Sequence, residues 1–383
     1  MRWLLLILSA LAALISLLNF VRAPDSIWVW KLAIVASEYG HWLVLVALAM
    51  AVLSLFGPPG VLRIATLGLC IVAVPGFLRP VAGARRIAAA LPHELQAAFG
   101  GPEVPLALDV GRLYSVAPAP AAAVRTEVFA RPDGQELKLD FYRPALAKDT
   151  LEKPWPCVIV IHGGGWDGGD RTQLAWWNPR LVARGYAVAA ISYRLAPQSV
   201  WPAQRDDVLA AIAWIKAHAV ALGIDPERLV LLGRSAGGQL ATAVGYGAND
   251  PAIRGVIALY APHDMPFTWS VSRSDDALNS LKLMTQYFGG APEGGRRALF
   301  DSASGQTLAR AGSPPTLIVH GLSDTLSWYR HSERLDARLQ ELGVPHYYLR
   351  LPWATHGFDF NPDGPGGQLT DYAIGRFLAS VTR

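Results

Sequence analysis

A serine stands between two glycines at Gly233-Arg234-Ser235-Ala236-Gly237, directly after the apolar run Leu229–Leu232 and before Gly238–Val244, which can start a helix. Between a strand and a helix, this spacing makes a turn too tight for side chains at its flanks and holds the central serine exposed above a sheet. A serine hydroxyl becomes a nucleophile when a base takes its proton and an acid orients that base. On a turn of this kind the acid, and then the histidine, follow the serine in chain order. Asp324 comes just past the strand-like run Thr316–His320, and His356 lies in the loop Pro352–Phe358 ahead of the last helix. The spacing therefore predicts a Ser235, Asp324, His356 triad for acyl-transfer chemistry. Upstream, the strand-like run Cys157–Ile161 ends in His162-Gly163-Gly164-Gly165-Trp166. Three glycines there let backbone N–H groups aim at one point, as stabilising a developing oxyanion requires.

Other polar residues compete for these roles. His320 ends a strand and is read as plugging a hydrogen bond beneath the site. His263 and Asp264 can line the pocket, but both precede the strand that should carry the acid. His218 and His93 are read as solvated. Asp206-Asp207 begins a helix, where a carboxylate complements the positive helix end. Arg234, inside the serine turn, either steers an anionic substrate or is ion-paired or turned outward.

The elements that must position these residues follow from periodicity. Val124–Phe129 and Leu137–Tyr142 flank a turn at Arg131-Pro132-Asp133-Gly134 and read as a hairpin. Strands at Cys157–Ile161, Ala187–Ile191, Leu229–Leu232, Gly255–Tyr260, Thr316–His320 and Tyr347–Leu351 then alternate with helices about Leu174–Arg184, Asp206–Leu222, Gly238 onward, Ser332–Leu342 and Thr370–Val381. That alternation implies a mostly parallel sheet with helices on both faces. Between Pro262 and Pro315 an insertion, about 263–313, carries Phe267, Trp269, Tyr287 and Phe288 and reads as a lid or pocket wall.

Of 383 residues 52% are hydrophobic, and the excess is concentrated in the first 80 or so. Trp3–Phe20, Tyr39–Phe56 and Val61–Leu78 are apolar runs roughly long enough to cross a bilayer. A signal peptide is the rival reading of the first, but its basic region is Arg2 alone and its cleavage pattern is poor. Gly57-Pro58-Pro59-Gly60 cannot continue a helix and reads as a hairpin tip. Ile27-Trp28-Val29-Trp30-Lys31 looks interfacial, since tryptophan favours the headgroup level. Arg79, Arg85 and Arg86 follow the third run, so the positive-inside rule places the large domain on the cytoplasmic side of a plasma or inner membrane. The expected division is a membrane region over 1–83, a connector over 84–123 ending in the Pro/Ala stretch Ala117–Ala123, and a catalytic domain over 124–383. The connector's Ala84–Phe99 has the look of a short amphipathic helix. A net charge of +4 is scattered, which argues against nucleic acid. Cys70 and Cys157 fall in separate apolar stretches and make no disulfide framework, and the Cys/His spacing offers no zinc site.

From about Thr126 to the end, the chain resembles the α/β-hydrolase superfamily. More narrowly it is similar to hormone-sensitive-lipase-like and feruloyl-esterase-like carboxylesterases. The stretches that carry the likeness are Leu139–Pro144, His162–Trp166, Tyr193-Arg194-Leu195-Ala196-Pro197, Trp201-Pro202-Ala203 with Asp207, Gly233–Gly238, the Asp324 loop and His356-Gly357-Phe358. The resemblance implies an α/β-hydrolase fold, here preceded by an α-helical membrane region, and a serine esterase that needs neither metal nor cofactor. By motif, Ser235 would attack an acyl carbonyl, His356 would take its proton and Asp324 would hold the imidazole. The N–H groups of Gly164, Gly165 and Ala236 would bind the oxyanion before water hydrolyses the acyl-enzyme. Arg234 departs from the acidic or small residue usual at its position, and Thr325-Leu326-Ser327-Trp328 replaces the usual apolar–Pro continuation after Asp324. With spans nearby, a small-molecule or lipid-like acyl ester is the expected substrate and the lipid bilayer the expected partner. A serine peptidase or amidase, and a catalytically silent scaffold of the same fold, are the alternatives; a transporter is the weakest, because the spans lack buried charges.

Overall fold

The computed structural model describes residues 1–115, 122–144 and 154–383. Residues 117–121 of the expected Pro/Ala linker lie outside the described residues. Four helices come first, α1 (Arg2–Leu17), α2 (Ile27–Glu38), α3 (Gly40–Leu55) and α4 (Val61–Phe99), with a single turn α5 (Val110–Leu113) after them. A sheet then forms from β1 (Val124–Ala130), β2 (Leu137–Tyr142), β3 (Trp155–Ile161), β4 (Ala187–Ile191), β5 (Ile224–Arg234), β6 (Ile253–Leu259), β7 (Thr316–Gly321) and β8 (His346–Leu351). Its order is β1-β2-β4-β3-β5-β6-β7-β8. The first two strands form the expected hairpin and β2 pairs antiparallel with β4; every later pairing is parallel.

Side chains alternate across a strand, so β3 sends Ile159 and Ile161 into one core and Val158 and Val160 into the other. The first core is closed by α7 (Ala203–Ala217), α9 (Ala236–Gly247) and α14 (Arg330–Glu341), with α8 (Ala219–Leu222) at the entry to β5. The second lies under α6 (Asn178–Ala183), α15 (Pro365–Val381) and the C-terminal half of α4. The insertion folds into four short helices, α10 (Met265–Val271), α11 (Ser280–Phe288), α12 (Arg296–Ser302) and α13 (Gly305–Leu308).

Helix α4 does not stop where its apolar run does. It passes through Pro75, Pro80 and Pro92 and crosses the boundary expected at residue 83, so the third apolar run and the connector's helix are one element. A drop in hydropathy is not a helix stop; the stop is Gly100-Gly101, both with positive φ, where glycine costs no strain. Beyond residue 83 the helix buries Ala84, Ala88, Leu91 and Leu95 against the sheet. Leu91 and Leu95 each contribute about 1.5–3 kcal/mol by leaving water. Tyr347 Oη on β8 donates to Glu94 Oε2 from the same surface.

The N-terminal helices make a third cluster, in which small residues bring backbones together. A Cβ on Gly40 would lie 2.7 Å from the Phe77 carbonyl oxygen, and one on Gly76 would lie 2.6 Å from Ser16 Oγ. Arg2 packs beside Gly57, so α1 starts at the tip of the α3–α4 hairpin and runs back toward the sheet. At that end Asn19 Nδ2 donates to the carbonyls of Ala36 and Gly76, each at 3.0 Å. Of the three apolar runs, α4 alone among the described helices is long and apolar enough to cross a bilayer by itself. The second run forms α3, which joins α2 through an 83° bend, and the pair together passes the same test; α1 has 16 residues.

Candidate active site

Strand β5 ends by delivering Ser235 at φ 52 and ψ −121, a backbone position that a non-glycine residue rarely takes. The two glycines around it have a steric cause. A Cβ on Gly233 would sit 2.0 Å from the Gly237 carbonyl oxygen, and one on Gly237 would sit 2.2 Å from that of Ile161. The turn is thus pressed against the end of β3, where the glycine loop begins. Ser235 N donates to the Leu259 carbonyl at 2.9 Å, which fixes the turn to β6 as well.

Ser235 Oγ is 3.0 Å from His356 Nε2, and His356 Nδ1 is 2.7 Å from Asp324 Oδ2. The tautomer with its proton on Nδ1 serves both contacts: Nδ1–H donates to the carboxylate and Nε2 accepts from the serine. Asp324 is fully buried. Its Oδ1 accepts from the backbone N–H groups of Leu326 and Ser327, each at 2.8 Å. Burial by itself pushes this carboxyl up, but the His356 imidazole, and that of His320, outweigh it and hold it below the usual carboxylate range. His320 Nε2 lies 3.2 Å from Asp324 Oδ2 while its Nδ1 bonds Ser332 Oγ at 2.7 Å, behind the acid as the sequence suggested.

The glycine loop faces the serine across a cavity. Gly163 N donates to Gln173 Oε1 at 2.7 Å, and Gly164 and Gly165 line the cavity with Ser235 and His356. His162 anchors the loop from below. Its ring stacks on Tyr193 at 4.2 Å, and burial lowers its pKa to about 4, so it is neutral at physiological pH. Tyr193 Oη donates to the His162 carbonyl at 3.1 Å. Next to it Arg194 pairs with Asp207 at 2.8 Å, which gives Asp207 a different job from the helix-end role expected for it; it sits in the second turn of α7, not ahead of the first.

Arg234 is neither steering nor outward. It is 2% exposed, and its Nε donates to Asp359 Oδ2 at 2.5 Å; Asp359 is fully buried. Tyr260 Oη donates to the other oxygen of Asp359 at 2.5 Å, and the Tyr260 ring meets the His356 ring edge-on at 4.5 Å. Asp359 follows His356 by three residues, so the Arg234–Asp359–Tyr260 cluster ties the serine turn to the histidine loop. Arg234→Met should cost about 3–5 kcal/mol of stability, because it leaves a buried carboxylate without its cation. Replacing both partners, as Arg234→Met with Asp359→Leu, should cost clearly less than the sum of the two single changes. Urea denaturation of the single and double variants measures this, and strict additivity would show that the pair is not coupled.

His263 and Asp264 do not join the site. His263 is buried on Thr242, held neutral by that burial, and Asp264 caps α10 and pairs with Arg334. Tyr287 and Phe288 of the insertion are core residues, Tyr287 stacking on Trp166 at 4.3 Å. The insertion reaches the cavity through Leu278 and Leu283 instead. Among the described residues no cluster of three or more His, Cys, Asp or Glu side chains is placed to hold a metal.

A mostly parallel eight-stranded sheet, a serine on a strained strand-to-helix turn and an acid and histidine from later loops define the α/β-hydrolase fold. Residues 139–339 match the BD-FAE family, which is more than half of the chain, and the chain belongs to that family. The matched span holds Ser235 and Asp324 and ends before His356. Esterase LipC of Mycobacterium tuberculosis is 30% identical over 259 residues, covering 64% of this chain and 62% of that protein. An ethyl acetate hydrolase of Pseudomonas putida is 41% identical over 112 residues, 29% of this chain and 34% of that one. Among solved structures, a bacterial heroin esterase superposes with a TM-score of 0.60 at 25% identity, covering 72% of this chain and 89% of its own. Esterase LipW of Mycobacterium marinum gives 0.57 at 25%, covering 80% and 90%. The chain spans 54–62% of the length of the three M. tuberculosis relatives that lead the sequence matches.

Proposed function

We propose that this chain is a membrane-anchored serine esterase that hydrolyses carboxylic esters through an acyl-enzyme. The observation that carries the reading is the unbroken contact from Ser235 through His356 to Asp324 beside a glycine loop. In the first half-reaction His356 Nε2 removes the hydroxyl proton as Ser235 Oγ bonds to the acyl carbon. The carbonyl oxygen becomes an oxyanion held by the N–H groups of Gly164, Gly165 and Ala236. His356 gives the proton to the departing alcohol as the ester bond breaks. In the second half a water loses its proton to the same nitrogen, attacks the acyl carbon, and the free acid leaves with Ser235 restored. Asp324 keeps the imidazole in the working tautomer throughout. Relatives named as esterases and carboxylic ester hydrolases support the reaction class.

For the anchor, the support is α4's apolar first half, the α2–α3 pair, and a belt of exposed apolar side chains such as Leu4, Ile7, Leu14, Val46, Val52, Ile64 and Ile71. Arg79, Arg85 and Arg86, which follow the apolar first half of α4, support a cytoplasmic catalytic domain by the positive-inside rule. Detergent-solubilised full-length protein should hydrolyse p-nitrophenyl acetate, butyrate or octanoate and take a fluorophosphonate label on Ser235. Folded protein that does neither would exclude the esterase.

A further inference from the structure

The cavity at Ser235 has two unlike lobes, and the N-terminal region contributes to both. One lobe, of about 520 Å³, is walled by Ile27, Trp30 and Ile34 of α2 together with Leu174, Leu326 and Phe360 of the sheet domain. The other, of about 300 Å³, carries Arg22 and Asp25 from the α1–α2 loop and Arg273 and Asp276 from the insertion. The two meet at Ser235, Gly165, Leu278, Leu283 and Leu326.

Helix α2 is held in place by specific bonds. Trp30 Nε1 donates to the carbonyl oxygen of His356 at 2.9 Å. At the other end of the helix Glu38 Oε2 accepts from Gly366 N at 2.9 Å, and Asn361 Nδ2 donates to the Glu38 carbonyl at 2.9 Å. Asp25 pairs with Arg273 of the insertion at 3.2 Å. The opposite face of α2 shows Trp28, Leu32 and Val35 to the outside, with Lys31 Nζ 4.8 Å from the Trp28 ring. With α3 standing along the bilayer normal, the 83° bend lays α2 close to the membrane plane, which suits an aromatic–lysine outer face. One helix is therefore apolar on both sides, toward the surroundings and toward the reacting serine.

We infer that α2 is the wall of the acyl subsite, and that the substrate is an amphiphilic ester whose hydrocarbon chain lies against Ile27, Trp30 and Ile34 while its alcohol part occupies the lobe that carries Arg22, Asp25, Arg273 and Asp276. This rests on the esterase reading above. A long hydrocarbon chain can lie along this wall, whereas an acetyl group touches little of it. Specificity for chain length thus resides in the segment before the hydrolase domain.

The test compares kcat/KM for p-nitrophenyl octanoate and acetate on full-length protein in detergent. Ile27→Glu puts a carboxylate into the lobe, and an acid in the first turn suits the helix, so α2 stays folded. Ile34→Trp fills the lobe with bulk. Each should lower the octanoate-to-acetate ratio at least about tenfold, the scale on which an apolar pocket discriminates a single methylene. Trp28→Ala, on the outer face of the same helix, should leave the ratio within about threefold, a spread well below that discrimination. An unchanged ratio in both lobe variants, with Ser235 still labelled by fluorophosphonate, would overturn the role of α2 and leave the esterase standing. Wild-type protein that hydrolyses neither ester and takes no label would overturn both.

Discussion

Ser235→Ala should abolish ester hydrolysis, lowering kcat by about 10⁵-fold or more while the fold and thermal midpoint stay close to wild type. The size follows from how such a set of groups works. The nucleophile, base and acid act as one unit, so removing the serine costs about as much as removing all three. What survives is the acceleration supplied by the glycine loop and by binding, about 10³–10⁴-fold over water. The structural cost is small because the removed hydroxyl makes a contact to His356 and little else. The constrained backbone stays as it is, since alanine tolerates φ 52 no worse than serine does. Stopped-flow hydrolysis of p-nitrophenyl butyrate at saturating substrate, beside a fluorophosphonate labelling assay, measures both consequences. Turnover within tenfold of wild type, or a label that persists in the variant, would mean that another residue is the nucleophile.

The parts of this arrangement that were legible in the sequence are those whose signal is local. The serine turn announces itself because two glycines are forced by backbone atoms 2.0 and 2.2 Å from where a Cβ would be. The sheet could be read strand by strand because β3, β4, β7 and the Leu229–Leu232 part of the longer β5 are short, buried apolar runs. What the sequence withheld depends on contacts between distant segments. Arg234 and Asp359 are 125 positions apart, and only the docking of the histidine loop on the serine turn makes them partners. Tyr260 directly follows β6, where its pattern reads as one more core residue, yet its hydroxyl holds Asp359 beside His356. Trp30 has a role that the sequence did not show for a different reason. An indole has an apolar face and one N–H donor, so the features that suit a membrane interface also suit a cavity wall with a carbonyl to satisfy. The second half of α4 reads correctly as an amphipathic helix, but only the fold shows that its apolar face is covered by β8 and α15.

Asp324→Asn should lower kcat by about 10⁴-fold with the imidazole still in position, the scale set by a wrong histidine tautomer. The direction follows from the bonds around the carboxylate. Its Oδ1 accepts from two backbone N–H groups, those of Leu326 and Ser327, while Oδ2 faces His356 and His320. An asparagine must keep its oxygen toward the two backbone donors, because turning the amide over would set N–H against N–H. Its NH₂ group then points at His356 Nδ1 and donates to it. The ring proton moves to Nε2, which can no longer accept from Ser235, and the base is lost although every atom remains in place. Stability should change in a pH-dependent way as well. The folded carboxyl is held below its unfolded value of about 3.9, so the native state binds fewer protons there. The stability it adds is complete above that value and drains away as pH falls toward the folded one. Wild type and variant should therefore differ most at neutral pH and converge in acid, which thermal melts between pH 7 and pH 3 would record. A variant that keeps activity within tenfold would show that His356 finds its working tautomer without Asp324. The neighbouring His320 would then be the next group to remove, since its ring lies 3.2 Å from the same oxygen.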